Sequence, residues 1–171
     1  RAPLADFEEK FISLNYESDN KIIKEIFCRI KMVNPNDGQC LPKSSAMVFA
    51  LDPSLKKDTW NTEHWLAQSS DQELLDKLDN KEDVHNIGNL LLISSSLNSH
   101  IQNMAPTAKV NYINTNEKAR LLVDQSLTDF IDEYKEFHDN WNSDVINKRA
   151  KKLAKACYNI FWRDNYLTQG S

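Results

Sequence analysis

A chain of 171 residues with 40% hydrophobic content suits one globular domain and is long enough to bury a core without disulfides or a structural metal. Only 3 glycines and 5 prolines argue against a sandwich or barrel with many tight turns and for a helix-rich fold. A formal net charge of −4 excludes a chain that is basic overall, but not a local cationic patch. Cys28, Cys40 and Cys157 form no CxxC pair. This argues against a disulfide framework or a zinc ribbon, and a reducing cytoplasm is the expected location. No apolar run approaches the ~20 residues of a membrane span, and no signal-peptide pattern opens the chain.

Phe7, Phe11 and Leu14 stand at helical spacing and predict a helix over Asp6–Leu14. Ile22, Ile23, Ile26, Phe27, Ile30 and Val33 predict a second over Asn20–Met32, stopped by the turn-forming run Asn34-Pro35-Asn36-Asp37-Gly38. Ala46–Leu51 is apolar but too short for periodicity to separate strand from helix. Thr59–Leu66 reads as extended, Asp71–Leu78 as a short helix, and Leu90–Ile93 as a buried strand leading into a helix over Ser94–Asn103. Ser126-Leu127-Thr128-Asp129 fits a capping box ahead of Phe130, Tyr134 and Phe137. The clearest helix is the last. Ile146, Ala150, Leu153, Cys157 and Ile160 make one apolar stripe, with Asn142 or Ser143 as its N-cap. The fold expected is α+β, a mostly helical domain around a small strand pair. Residues 1–55 form an N-terminal helical segment packing on a core of residues 56–171, in one globular unit of a larger protein.

The polar residues with chemical potential gather at the two expected strands: Glu63-His64, then Asn89 just before the apolar run, then Asn98 just after it. Hydrolysis of a phosphodiester needs a base near neutral pH, which suits imidazole. It also needs a hard cation on the phosphate, held by one or two protein oxygens. His64, with a carboxylate at Glu63 and an amide oxygen at Asn98, supplies those types. On a regular strand Glu63 and His64 point to opposite faces, so the strand must end or bulge there for both to serve one site.

Glu63-His64, Asn89 and Asn98 resemble the HNH motif of the ββα-metal endonucleases. The wider frame is more specific: His64-Trp65-Leu66-Ala67-Gln68, Ile87-Gly88-Asn89-Leu90-Leu91-Leu92-Ile93, Leu97-Asn98-Ser99, Lys109, and then Trp141, Ile146, Arg149, Leu153 and Trp162. It resembles the C-terminal nuclease domain of GmrSD-type modification-dependent restriction and phage-defence proteins, over roughly residues 59–163. Ala67 stands where that pattern usually has Pro, and Glu63 where the superfamily often has Asp.

The resemblance implies a ββα-metal core and metal-dependent nicking of DNA in prokaryotic defence. In it His64 is the general base, Asn89 orients the His64 ring, and Glu63 and Asn98 hold one Mg²⁺ or Mn²⁺. It also implies a sensor or NTPase domain, N-terminal or on a partner protein, outside this chain, and no membrane partner. Lys109, Arg149 and a ridge of Lys148, Lys152 and Lys155 are candidates for phosphate contact. His85 and His100 lie close enough in sequence to support the site from behind. Two other readings compete: a catalytically silent nucleic-acid-binding module, and an RNase or toxin nuclease on the same fold. A zinc protease, a serine hydrolase and a P-loop NTPase are disfavoured for want of His-Glu-x-x-His, Gly-x-Ser-x-Gly and Walker patterns.

Overall fold

The computed structural model describes residues 3–31 and 60–168. Two helices open the chain, α1 (Leu4–Ile12) and α2 (Tyr16–Lys31). Strand β1 (Trp60–His64) follows, then the single-turn helix α3 (Gln72–Leu75). Two 3-10 turns, Lys81–His85 and Ile87–Asn89, lead into strand β2 (Leu90–Ser94). Five helices complete the order: α4 (Ser95–Ile101), α5 (Pro106–Thr115), α6 (Glu117–Leu121), α7 (Gln125–Glu133) and α8 (Ser143–Thr168). The α+β, mainly helical architecture expected from the sequence is the one observed. Asn34–Gly38, Ala46–Leu51 and Cys40 lie outside the described residues.

β1 and β2 form an antiparallel ribbon without a bulge, with Trp60 opposite Ser94, Thr62 opposite Leu92 and His64 opposite Leu90. Residues directly opposite share a face and neighbours alternate, so the ribbon divides the core. Leu91 and Ile93 join Trp65, Leu97, Ile101, Phe130 and Trp141 on one side. Leu90 and Leu92 join Phe11, Ile23, Ile26 and Phe27 of α1 and α2 on the other. Burying each such Leu, Ile or Phe contributes about 1.5–3 kcal/mol, so the ribbon is held from both faces. Helix α8 spans the two clusters, giving Val145 and Ile146 to the first and Ala150, Ala154 and Cys157 to the second.

Local capping fixes the helix starts. Asn142 Oδ1 accepts from Val145 N–H at 3.1 Å at the head of α8. Ser94 Oγ accepts from Leu97 N–H at 3.1 Å where β2 turns into α4. Helix α7 departs from expectation: its cap is Asp124, whose Oδ1 accepts from Leu127 N–H at 2.9 Å. An extended backbone at Asp124 lets the carboxylate reach a donor three residues on, so Ser126 falls inside the helix. The sequence pattern gave no sign of α5 or α6.

Candidate active site

Chain turns on both sides of the ribbon's end are pinned by buried polar groups. Asn89 is fully buried, and its whole amide is used. Oδ1 accepts from Leu66 N–H at 3.0 Å and from the Trp141 indole at 2.9 Å. Nδ2 donates to Leu66 O at 3.0 Å and Val84 O at 2.7 Å. The expected hold of Asn89 on the His64 ring is therefore corrected. Its hydrogen bonds go to the segment that leaves β1, and it fixes the backbone next to His64 instead.

Lys109 and Arg149 need a similar correction. Both were candidates for phosphate contact, yet Lys109 is 2% exposed and Arg149 6%. Lys109 Nζ donates to His64 O and Trp65 O, each at 2.8 Å. Burial pulls its pKa down to about 8 against the opposing pull of Glu63, so it stays charged near neutral pH. Arg149 Nη1 donates to Gly88 O at 2.8 Å and Leu90 O at 2.7 Å, tying α8 to the start of β2. Both cations are buried and donate to backbone carbonyls, so neither stands on the surface as an exposed phosphate contact would. Of the expected ridge, Lys148, Lys152 and Lys155 are exposed. Lys148 pairs with Asp144 at 2.8 Å and Lys152 with Glu133.

His64 closes β1 and is itself buried, at 8% exposure. Its ring meets Tyr16 edge-on with centroids 4.6 Å apart. His64 Nε2 lies 3.2 Å from His85 Nδ1, and His85 Nε2 lies 3.5 Å from Glu17 Oε1. Burial first, then His85 and Lys109, lower the His64 pKa to about 4, so the imidazole is neutral near neutral pH. Tyr16 and Glu17 reach this place because the α1–α2 junction is stitched to the 3-10 turns. Asn15 bridges Asn86, Ile87 N–H donates to Leu14 O at 3.2 Å, and Asn86 Nδ2 donates to Ile12 O at 2.7 Å. No spacing rule links residues so far apart in sequence, so neither Tyr16 nor Glu17 was legible there.

Glu63 leaves β1 on the face opposite His64, because the ladder runs regularly through both. It is half-buried, and desolvation raises its carboxyl pKa against the attraction of Lys109. Helix α4, which carries Asn98, lies on this Glu63 side, since its Leu97 and Ile101 pack with Leu91 and Ile93. Among the described residues, Asn98 Oδ1 is buried without a hydrogen-bond partner, and so is Thr62 Oγ1. A buried carbonyl oxygen with no donor calls for an explanation such as an ion, and it is the oxygen type a hard cation takes. The donor chemistry of Asn98 and Glu63 thus fits Mg²⁺ or Mn²⁺. A different group on the His64 face, Glu17, Glu82 and His85, also places one ligand atom from each within 4.8 Å of the others. His100 stands apart from the His64–His85 pair: it is exposed, with its ring stacked on Tyr112.

These features define an α+β domain with a ββα unit, a buried neutral histidine at the end of its first strand and an unpartnered amide oxygen on its helix. The chain belongs to the family described as the C-terminal domain of GmrSD restriction endonucleases, whose family model matches residues 3–156. Comparisons with curated proteins and with solved structures returned no match. Family membership puts the chain among restriction-endonuclease domains. Among the described residues no helix is long and apolar enough to cross a membrane.

Proposed function

We propose that this domain nicks DNA by metal-assisted hydrolysis of a phosphodiester, with His64 as the general base that takes a proton from the attacking water. The observation that carries the reading is His64 itself. It is a buried, neutral imidazole fixed at the end of β1, with Asn89 and Lys109 holding the adjoining backbone. A general base must be unprotonated at working pH and held in place, and both conditions are supported here. Glu63 and Asn98 are the residues that would hold the divalent ion. When bound, the ion supplies charge neutralisation to the scissile phosphate and the leaving 3′-oxygen. Because Glu63 and His64 point to opposite faces of the ribbon, a phosphate that meets both must pass the end of β1.

Lys148, Lys152 and Lys155 present exposed ammonium groups along α8. Surface pairs such as Lys148–Asp144 are worth only about 0–1 kcal/mol and yield readily to a phosphate. Contacts of that kind position the backbone without reading sequence, so the cut is expected to show little sequence preference. Recognition then belongs to a sensor or NTPase domain outside this chain, in a cytoplasmic restriction and defence system.

The test is nicking of supercoiled plasmid with Mg²⁺, Mn²⁺ or EDTA, with His64→Ala beside the wild type. Metal-dependent nicking that falls at least ~10²-fold in the variant is expected. Nicking that is equal in the variant sinks the base assignment, and a chain that binds plasmid without cutting favours the silent module. Calorimetric titration with Mn²⁺ separates the two donor sets. Glu63→Gln should weaken binding and Glu82→Gln should not, and the reverse result moves the ion to the His64 face.

A further inference from the structure

We infer that Glu17 and His85 position the His64 ring, with Glu17 fixing His85 and His85 Nδ1 accepting the Nε2–H of His64. This rests on the reading of His64 as the base, and it identifies what orients that base. The Asn89 amide does not, since both of its ends are committed to Leu66, Val84 and Trp141.

The proton arrangement follows from hydrogen-bond accounting. A neutral imidazole has one N–H and one lone pair, and an ionised carboxylate only accepts. His85 Nε2 faces Glu17 Oε1 at 3.5 Å, so the His85 proton belongs on Nε2. His85 Nδ1 is then a lone pair, and it lies 3.2 Å from His64 Nε2. Two lone pairs facing each other in a buried contact would leave both unsatisfied, so His64 carries its proton on Nε2. The ring nitrogen left to act as base is Nδ1. For two neutral rings, any other arrangement breaks one of the contacts.

The surroundings hold the rings in this order. Tyr16, next to Glu17 in the chain, meets His64 edge-on and lies nearly parallel to His85, at an interplanar angle of 14°. His64 and His85 are both 8% exposed. The Asn15–Asn86 bridge keeps the start of α2 against the turn that bears His85. When His64 Nδ1 takes a proton from water, that proton stays on the ring. The Nε2–H bond to His85 tightens, and the Glu17 carboxylate offsets the new positive charge through the His85 ring. A carboxylate behind a histidine fixes tautomer and orientation in this way without itself being protonated.

The experiment combines two-bond ¹H–¹⁵N correlation spectra of the histidine-labelled chain with plasmid nicking by Glu17→Gln, His85→Ala and His85→Asn. Both His64 and His85 should read as Nε2–H tautomers, and Glu17→Gln should weaken that preference at His85. His85→Ala should lower kcat by about 10²-fold, and His85→Asn should recover part of it, because the Asn oxygen can still accept from His64. Glu17→Gln should lower kcat by less, since its carboxylate is 66% exposed and screened by solvent. KM for plasmid should stay unchanged, and the tautomer change seen in the folded Glu17→Gln chain is the readout a merely structural loss would not reproduce. An Nδ1–H tautomer at His85, as a cation on its Nε2 would impose, overturns the inference. So do kcat losses that only track loss of folded protein. If His64→Ala nicks normally, the base reading itself has failed; if it is inactive while Glu17→Gln and His85→Asn match wild type in rate and tautomer, only the positioning role has.

Discussion

Lys109 aims its ammonium at the two carbonyls that leave β1, His64 O and Trp65 O, while its side chain lies over the Trp65 ring, 5.5 Å from the centroid. That makes it a clamp on the backbone of the base. Lys109→Met keeps most of the apolar stem and removes both charge-assisted bonds. The loss expected is about 2 kcal/mol, read as a lower urea midpoint, with an unchanged salt dependence of plasmid binding. A phosphate contact would instead reduce the salt slope by about one and leave stability alone, and that result would return Lys109 to the DNA surface. The residue types of the site were legible in the sequence: His64 ends β1, Asn89 ends the turn before β2 and Asn98 sits on α4, in the expected order. Their bonding was not. A buried lysine and a phosphate-binding lysine are the same letter, and only the carbonyls of His64 and Trp65, brought close by folding, distinguish them.

At the scale of elements, the turn before β2 and helix α8 meet backbone against backbone. A Cβ added to Gly88 would stand 2.0 Å from Ile146 O and 2.8 Å from Ile146 C. The obstacle is helical backbone, so it cannot rotate aside. Gly88→Ala must push α8 away and stretch the Arg149 bonds to Gly88 O and Leu90 O. A loss of about 3 kcal/mol is expected, seen as a drop in Tm; a shift under 1 °C would mean that the turn relaxes freely. Element by element, β2 was readable as a short unbroken apolar run and α8 from its clean helical period. Helix α5 was not, and Lys109 is again the cause. With Pro106 and Ile113 it occupies the buried side of that helix, so a charge falls where the period demands an apolar residue.

For the whole molecule, the N-terminal helices do more than cover the ribbon, since Tyr16 and Glu17 complete the surroundings of His64. Burying a neutral histidine there ties stability to pH. His64 has a folded pKa of about 4 against an ordinary 6.5, and burial lowers that of His138 as well. The unfolded chain therefore binds protons first as pH falls. Stability from these groups is complete above pH 6.5 and is lost progressively as pH falls from 6.5 toward 4. The pKa difference at His64 corresponds to about 3 kcal/mol. Glu63 acts in the opposite sense, because its raised pKa lets the folded state take a proton more readily than the unfolded one. Between pH 6.5 and 5 the lowered pKa values of His64 and His138 act together against that of Glu63 alone, so the net slope should still favour unfolding. Urea midpoints measured across that window should fall with pH in the wild type and fall much less in His64→Gln. Parallel curves for the two proteins would mean that His64 is protonated as easily in the fold as outside it, and a site built on a neutral imidazole would lose its physical basis.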